Sequence, residues 1–225
     1  MCECGIIYCS VINAMQIPTE YQYLLMKYSK YICAATMDGK VNVLDIDNLR
    51  ILNTFRTNNV RISDMDAQTS YLVTCGWAHR PQGTLGLAAL ANVFDLRAMV
   101  QSNPIAFHAG AAFVQMHPKM STTCIIASQG GQLQVVDIIN SGPITLRQVD
   151  IAAGTYMAGM VMSPSGRALA IWDGNGLIHL WGSSAVPISF TDTGGTNLDW
   201  GTTAEVSRAA APKLSIDGDE YELSD

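Results

Sequence analysis

Cys75 and His79 stand four residues apart and are the pair in this sequence that could carry covalent chemistry, since a thiol becomes a nucleophile beside a base. The run leading into Cys75 argues against that use. Tyr71, Val73 and Cys75 alternate with the period of a strand, which predicts a thiol packed in a core. Cys2, Cys4 and Cys9 could suggest zinc, but thiolate sites pair one C-x₂₋₄-C with a second ligand pair that this chain lacks. Asp217, Asp219, Glu220 and Glu222 could bind Mg²⁺ or Ca²⁺, yet they lack the spacing of a calcium loop and read as a solvated tail. His117 precedes Pro118 in a predicted turn, and His179 falls within a predicted strand as a packing or surface residue. Neither G-x-x-x-x-G-K-S/T nor G-x-G-x-x-G precedes a helix, so no phosphate cradle is expected. The expectation is no catalytic residue, no metal ligand and no cofactor-binding residue.

Charge and composition narrow the partner class. The chain of 225 residues has a net charge of −6 and no Lys/Arg cluster. Holding a phosphate backbone takes concentrated positive charge, so protein partners are expected and direct nucleic-acid binding is not. With 48% hydrophobic and 14% charged residues the sequence is that of a globular domain. The longest apolar stretch, Leu85 to Phe94, interrupted by Asn92, falls well short of the roughly 20 residues of a membrane span. Met1-Cys2-Glu3-Cys4 lacks the basic start of a secretory leader, the six cysteines have no disulfide-framework spacing, and no Asn-x-Ser/Thr occurs. A reducing compartment is expected.

The elements that must position these residues repeat. Short β-rich runs close on Leu44-Asp45, Phe94-Asp95, Val136-Asp137 and Trp181-Gly182, so the closing residues fall 50, 42 and 45 residues apart. That period, with a Trp-Asp-like close, is the mark of a WD-type β-propeller. In the first unit the predicted strands are 23–28, 31–36, 41–45 and 51–55; in the third, 113–116, 124–128, 133–137 and 144–149; in the fourth, 158–162, 168–172, 177–181 and 186–190. The second unit opens with 62–66 and 71–76. A long connection over 77–90 then precedes 91–96 and accounts for the wide spacing. Asp38-Gly39, Gly130-Gly131 and Asn175-Gly176 mark the second reversal of three units, as tight hairpin turns require. Asp38 and Asn175 each lie six residues before the closing bulky residue and are expected to hydrogen-bond nearby backbone and hold the corner. His108, just before an inner strand, is expected to make a structural hydrogen bond.

The fold class is therefore all-β: a partial WD-repeat β-propeller of about four four-stranded antiparallel blades. The blades fall at about 21–56, 60–107, 112–150 and 156–192 within a domain over 21–192. A divergent segment covers 1–20, and 193–225 reads as a linker and largely disordered acidic tail. Four blades are few for a closed WD ring, which predicts a fragment or a truncated gene product.

Particular wording goes further than the period. Residues 107–123 (Phe107-His108-Ala109-Gly110 through Met116-His117-Pro118) and 128–137 (Ser128-Gln129-Gly130-Gly131 through Val136-Asp137) closely resemble the N-terminal propeller of the catalytic subunit of the fungal poly(A)-nuclease deadenylation complex. Residues 31–36, 64–68, 72–76, 92–97, 162–166 and 178–182 match in the same order, so the resemblance covers most of the chain. It implies a non-catalytic scaffold within a poly(A)-specific 3′-exoribonuclease subunit. Such a propeller positions the deadenylase on its pseudokinase regulatory subunit and on the poly(A)-binding protein complex during mRNA tail shortening. The divalent metal of that family belongs to a nuclease domain not expected in this chain, and the implied location is cytoplasmic, P-bodies included. The alternative is an unrelated WD adaptor that binds a peptide on the propeller rim; a hydrolase using Cys75 and His79 is a third and weaker reading.

Overall fold

The computed structural model of the chain describes residues 23–140 and 146–182, with side chains from Ser29 onward. Every regular element among them is a strand, and the strands form four antiparallel sheets in chain order. The first blade is β1 (Tyr23–Tyr28), β2 (Ile32–Thr36), β3 (Lys40–Leu44) and β4 (Ile51–Arg56), each paired with the next. The third is β11 (Phe113–Met116), β12 (Thr123–Ala127), β13 (Gln132–Asp137) and β14 (Leu146–Gln148). The fourth shows β15 (Met157–Met162), β16 (Ala168–Asp173) and β17 (Ile178–Gly182), while the expected strand at 186–190 lies outside the described residues. Tight reversals make these meanders. Gly39, Gly131 and Gly176 take φ of 76°, 82° and 80° at the turn into the third strand, a region open to glycine at no steric cost.

The second blade departs from the sequence reading. Residues 77–90 are not a free connection. β6 (Tyr71–His79) runs three residues beyond the predicted strand, and β7 (Leu85–Leu87) folds back on it with Trp77 opposite Leu87 and His79 opposite Leu85. The chain then continues into β8 (Leu90–Asp95), which pairs with the lower part of β6. Pro81 and Gly83, read from sequence as loop signals, occupy only the tip of this extended hairpin. The outer strand is split into β9 (Val100–Gln101) and β10 (Ile105–Ala106), and Pro104 between them has no N–H to give the ladder. β5 (Arg61–Gln68) is the inner strand of this blade.

The sheets stack face to face. The first strands touch in sequence, β1 on β5, β5 on β11 and β11 on β15, as around a propeller hub. Each gap between blades holds one apolar cluster. Cys33, Val41, Val43 and Phe55 of the first blade meet Met65, Leu72 and Phe94 of the second, with the Phe55 and Phe94 rings stacked at 4.5 Å between centroids. Val73, Cys75 and Val93 meet Val114, Cys124 and Ile126 of the third blade, and Ile125, Ala127 and Leu133 meet Met157, Leu169 and Ile171 of the fourth. A middle strand is thus covered on both faces, which is why β12 (TCIIA) is a continuous apolar run and buried throughout. Burying one Phe94-sized side chain contributes roughly 1.5–3 kcal/mol, so these clusters dominate the stability of the stack.

Candidate functional site

Cys75 and His79 are not brought together. Both lie on β6, where four residues at about 3.3 Å each separate them by roughly 13 Å. Cys75 is fully buried, donates to the Asp64 carbonyl at 3.6 Å and has its thiol pKa pushed well up by burial and then by the nearby Asp64 carboxylate. Burial also pushes the Cys33 and Cys124 thiols up to about 12. His79 is exposed at the far end of the strand. Among the described residues no group of three or more His, Cys, Asp or Glu side chains could hold a metal ion. Cys2, Cys4, Cys9, Asp217, Asp219, Glu220 and Glu222 lie outside the described residues.

The blade-closing aspartates share one geometry. Asp45 Oδ1 accepts the N–H of Asp47 at 2.9 Å, Asp95 Oδ1 accepts that of Arg97 at 2.8 Å, and Asp137 Oδ1 accepts that of Ile139 at 3.0 Å. Each carboxylate therefore starts an Asx turn that leads the third strand into the fourth. Asp95 also accepts from Arg97 Nη2 at 2.8 Å, which holds its carboxyl down to about 2, and that guanidinium lies over the Tyr71 ring. Of the bulky residues at these closing positions, Phe94 is 1% exposed within the first cluster, Val136 and Trp181 are half-buried against the second and third, and Leu44 is buried without joining a cluster.

The corners are held two residues earlier than the sequence reading placed them. Asn175 is exposed, and its backbone N–H donates to Asp173 Oδ1 at 2.9 Å. Asp173 Oδ1 also accepts the N–H of Leu177 at 2.9 Å; Ser128 Oγ accepts that of Gln132 at 3.0 Å, and Thr36 Oγ1 that of Lys40 at 3.2 Å. A short polar side chain at the end of the second strand spans the turn, because only from there does its oxygen face the N–H four residues on. Asp38 instead accepts from Thr36 Oγ1 at 2.5 Å and from the Lys40 ammonium.

The histidine assignment changes in the same way. His108 is exposed and lines a cleft, whereas His117 is 4% exposed. His117 Nδ1 accepts the N–H groups of Lys119 and Met120 at 3.2 and 2.9 Å, and Nε2 faces the Gly166 carbonyl of the next blade at 3.4 Å. Acceptance at Nδ1 places the proton on Nε2, and burial lowers the imidazole pKa from its ordinary value. His179 is half-buried with its Nε2 unpaired.

Two further sets of residues were missed. Asp64 and Asp66 on β5 accept the backbone N–H groups of Val114 and Met116 on β11 at 3.0 and 2.8 Å, and Gln115 Oε1 accepts that of Met162 on β15 at 3.0 Å. These side chains stitch one blade's inner strand to the next. The signal was present, since Asp64-x-Asp66 puts two carboxylates on one face of a buried strand. The second set lines a cleft of about 500 Å³ between the linker after β4 (Asn58, Asn59), the extended hairpin (His79, Arg80), the start of β8 (Leu90) and the segment at His108.

Four antiparallel sheets stacked on successive apolar clusters, with inner strands in file and Asx turns closing the blades, define a WD-type β-propeller. A family model described as PAN2 N-terminal matches residues 13–182, and the chain belongs to that family. It is 49% identical over 179 residues to the "PAN2-PAN3 deadenylation complex catalytic subunit PAN2" of Coccidioides immitis, an alignment covering 80% of this chain and 14% of that protein. The Aspergillus terreus protein of the same description is 49% identical over 170 residues, covering 76% and 14%. Thus the chain spans about one seventh of the length of these curated relatives. Among solved structures it is similar to the Neurospora crassa Pan2 WD40 domain, with a TM-score of 0.71 and 35% identity over 78% of this chain and 54% of that one. The Cps50 (Swd1) β-propeller domain of Myceliophteria thermophila, at 14% identity and a TM-score of 0.57 over 71% of this chain and 52% of that one, shares the fold alone.

Proposed function

We propose that the chain is a non-catalytic scaffold that works through protein contacts in poly(A)-tail shortening. It seats a deadenylase on its pseudokinase regulatory subunit, for which the relatives' description as PAN2–PAN3 complex subunits is the support, and on the poly(A)-binding protein complex. The observation that carries the reading is the family match over residues 13–182, on a fold whose polar side chains close turns and join blades. The chain acts in the cytoplasm, P-bodies included, without metal or cofactor and without gripping nucleic acid itself. With a net charge of −6, repulsion from an RNA backbone favours partners that bring the RNA. The test is to incubate the purified chain with Mg²⁺ and poly(A) RNA and, in parallel, with the purified regulatory subunit. Unchanged tail length and a stable complex are expected. Tail shortening by the chain alone overturns the proposal.

A further inference from the structure

Buried polar side chains normally find partners. Beside the cleft next to the second blade they do not. Asn92 on β8 is 1% exposed, and neither its carboxamide nitrogen nor its oxygen has a hydrogen-bond partner. Thr74, opposite Asn92 in the β6–β8 register and fully buried, has an unpaired hydroxyl. Asn59, 5% exposed on the linker after β4, has an unpaired Nδ2. Asn59 and Asn92 both line the cleft. Strand period puts Thr74 and Asn92 on the face of Leu72 and Phe94, where an apolar residue would extend the core. Leaving such groups unpaired in a core costs their full desolvation. Their retention points to a ligand.

The rim tells which kind. Arg80 crosses the open face of Gly86, where a Cβ would come within 2.3 Å of its Nε, and His79 and His108 are exposed beside it. Although the whole chain is acidic, no carboxylate lines the cleft among the described residues. Leu90, 41% exposed, supplies an apolar wall. We infer that this cleft binds an extended acidic peptide of a partner protein. One carboxamide or main-chain amide of the peptide pairs with the donor and acceptor of Asn92, an acidic side chain meets Arg80, and an apolar one packs on Leu90. RNA fits less well. Arg80 is the one Lys or Arg lining the cleft among the described residues, no Phe, Tyr or Trp lines it, and single strands are held by rows of cations and aromatic platforms.

The inference deepens the scaffold reading and rests on it, but the two fail separately: loss of the peptide site leaves binding of the regulatory subunit to be measured on its own. The labelled 225-residue chain is applied to an array of nonapeptides with acidic, neutral or basic flanks around a varied centre. Acidic flanks are expected to be selected. Arg80→Glu and Asn92→Leu are each expected to weaken the selected peptides about tenfold or more, the size of one lost desolvated contact. Asn92→Leu is also expected to raise Tm, because it removes an unpaired buried carboxamide. Selection of neutral or basic flanks, binding indifferent to either variant, or displacement of peptide by a poly(A) oligonucleotide overturns the inference. Arg80 is exposed, so its variant reads the site even if Asn92→Leu fails to fold.

Discussion

At the scale of single residues, short polar side chains act on backbone groups one turn away, and burial keeps His117 and three cysteines neutral. Asp173 shows the first. Its Oδ1 accepts two N–H groups while the buried Oδ2 has no partner. Asp173→Ala is expected to destabilise the chain by about 1–3 kcal/mol, because two donors lose their acceptor. Asp173→Asn keeps the accepting oxygen and turns the unpaired one into an amide, so its urea midpoint is expected to stay at or above that of the wild type. His117 shows the second. Its pKa is lowered in the folded chain by burial, so the unfolded chain takes up a proton first as pH falls below about 6.5. The stability His117 contributes is therefore present above that pH and lost as pH falls through the folded value. Thermal melts from pH 7.5 to 5.5 are expected to show Tm falling in the wild type and falling less in His117→Gln. The raised pKa values of Cys33, Cys75 and Cys124 give a third outcome: iodoacetamide at pH 8 is expected to leave these three thiols unmodified in the native chain, as peptide mass mapping reads.

Elements obey the pairing of neighbouring blades more than their own propensities. The first and third units were legible strand by strand, because their turns carry Asp-Gly or Gly-Gly and their strands are short, apolar and bounded. The second was not, since Pro81 and Gly83 read as loop while Trp77 to His79 and Leu85 to Leu87 find each other only once the hairpin closes. Sequence showed the closing aspartates but not the use of Thr36, Ser128 and Asp173. That use depends on which side chain faces the turn, a three-dimensional fact. Asp64-x-Asp66 marked two carboxylates on one face of a strand, but the inter-blade partners of Asp64, Asp66 and Gln115 stayed hidden because they lie about fifty residues away. Asp66→Ala leaves the Met116 N–H buried without an acceptor and is expected to cost about 1–3 kcal/mol by urea unfolding, whereas Asp66→Asn keeps one of the two accepting oxygens and costs less.

Over the whole molecule, the acidic chain presents stacked blades with a cleft at the second blade whose lining carries Arg80 and no carboxylate among the described residues. The cleft could not be read from sequence, because it assembles residues from the linker after β4, the extended hairpin and the segment before β11. The proposed role for such a platform is to hold proteins next to one another. The proposed scaffold role requires that this platform bind the pseudokinase regulatory subunit of a deadenylation complex. Isothermal titration of that purified subunit into the 225-residue chain tests it most directly. A saturable binding isotherm with a defined stoichiometry is expected. Absence of binding heat, with no complex on size exclusion of the same mixture, would contradict the account.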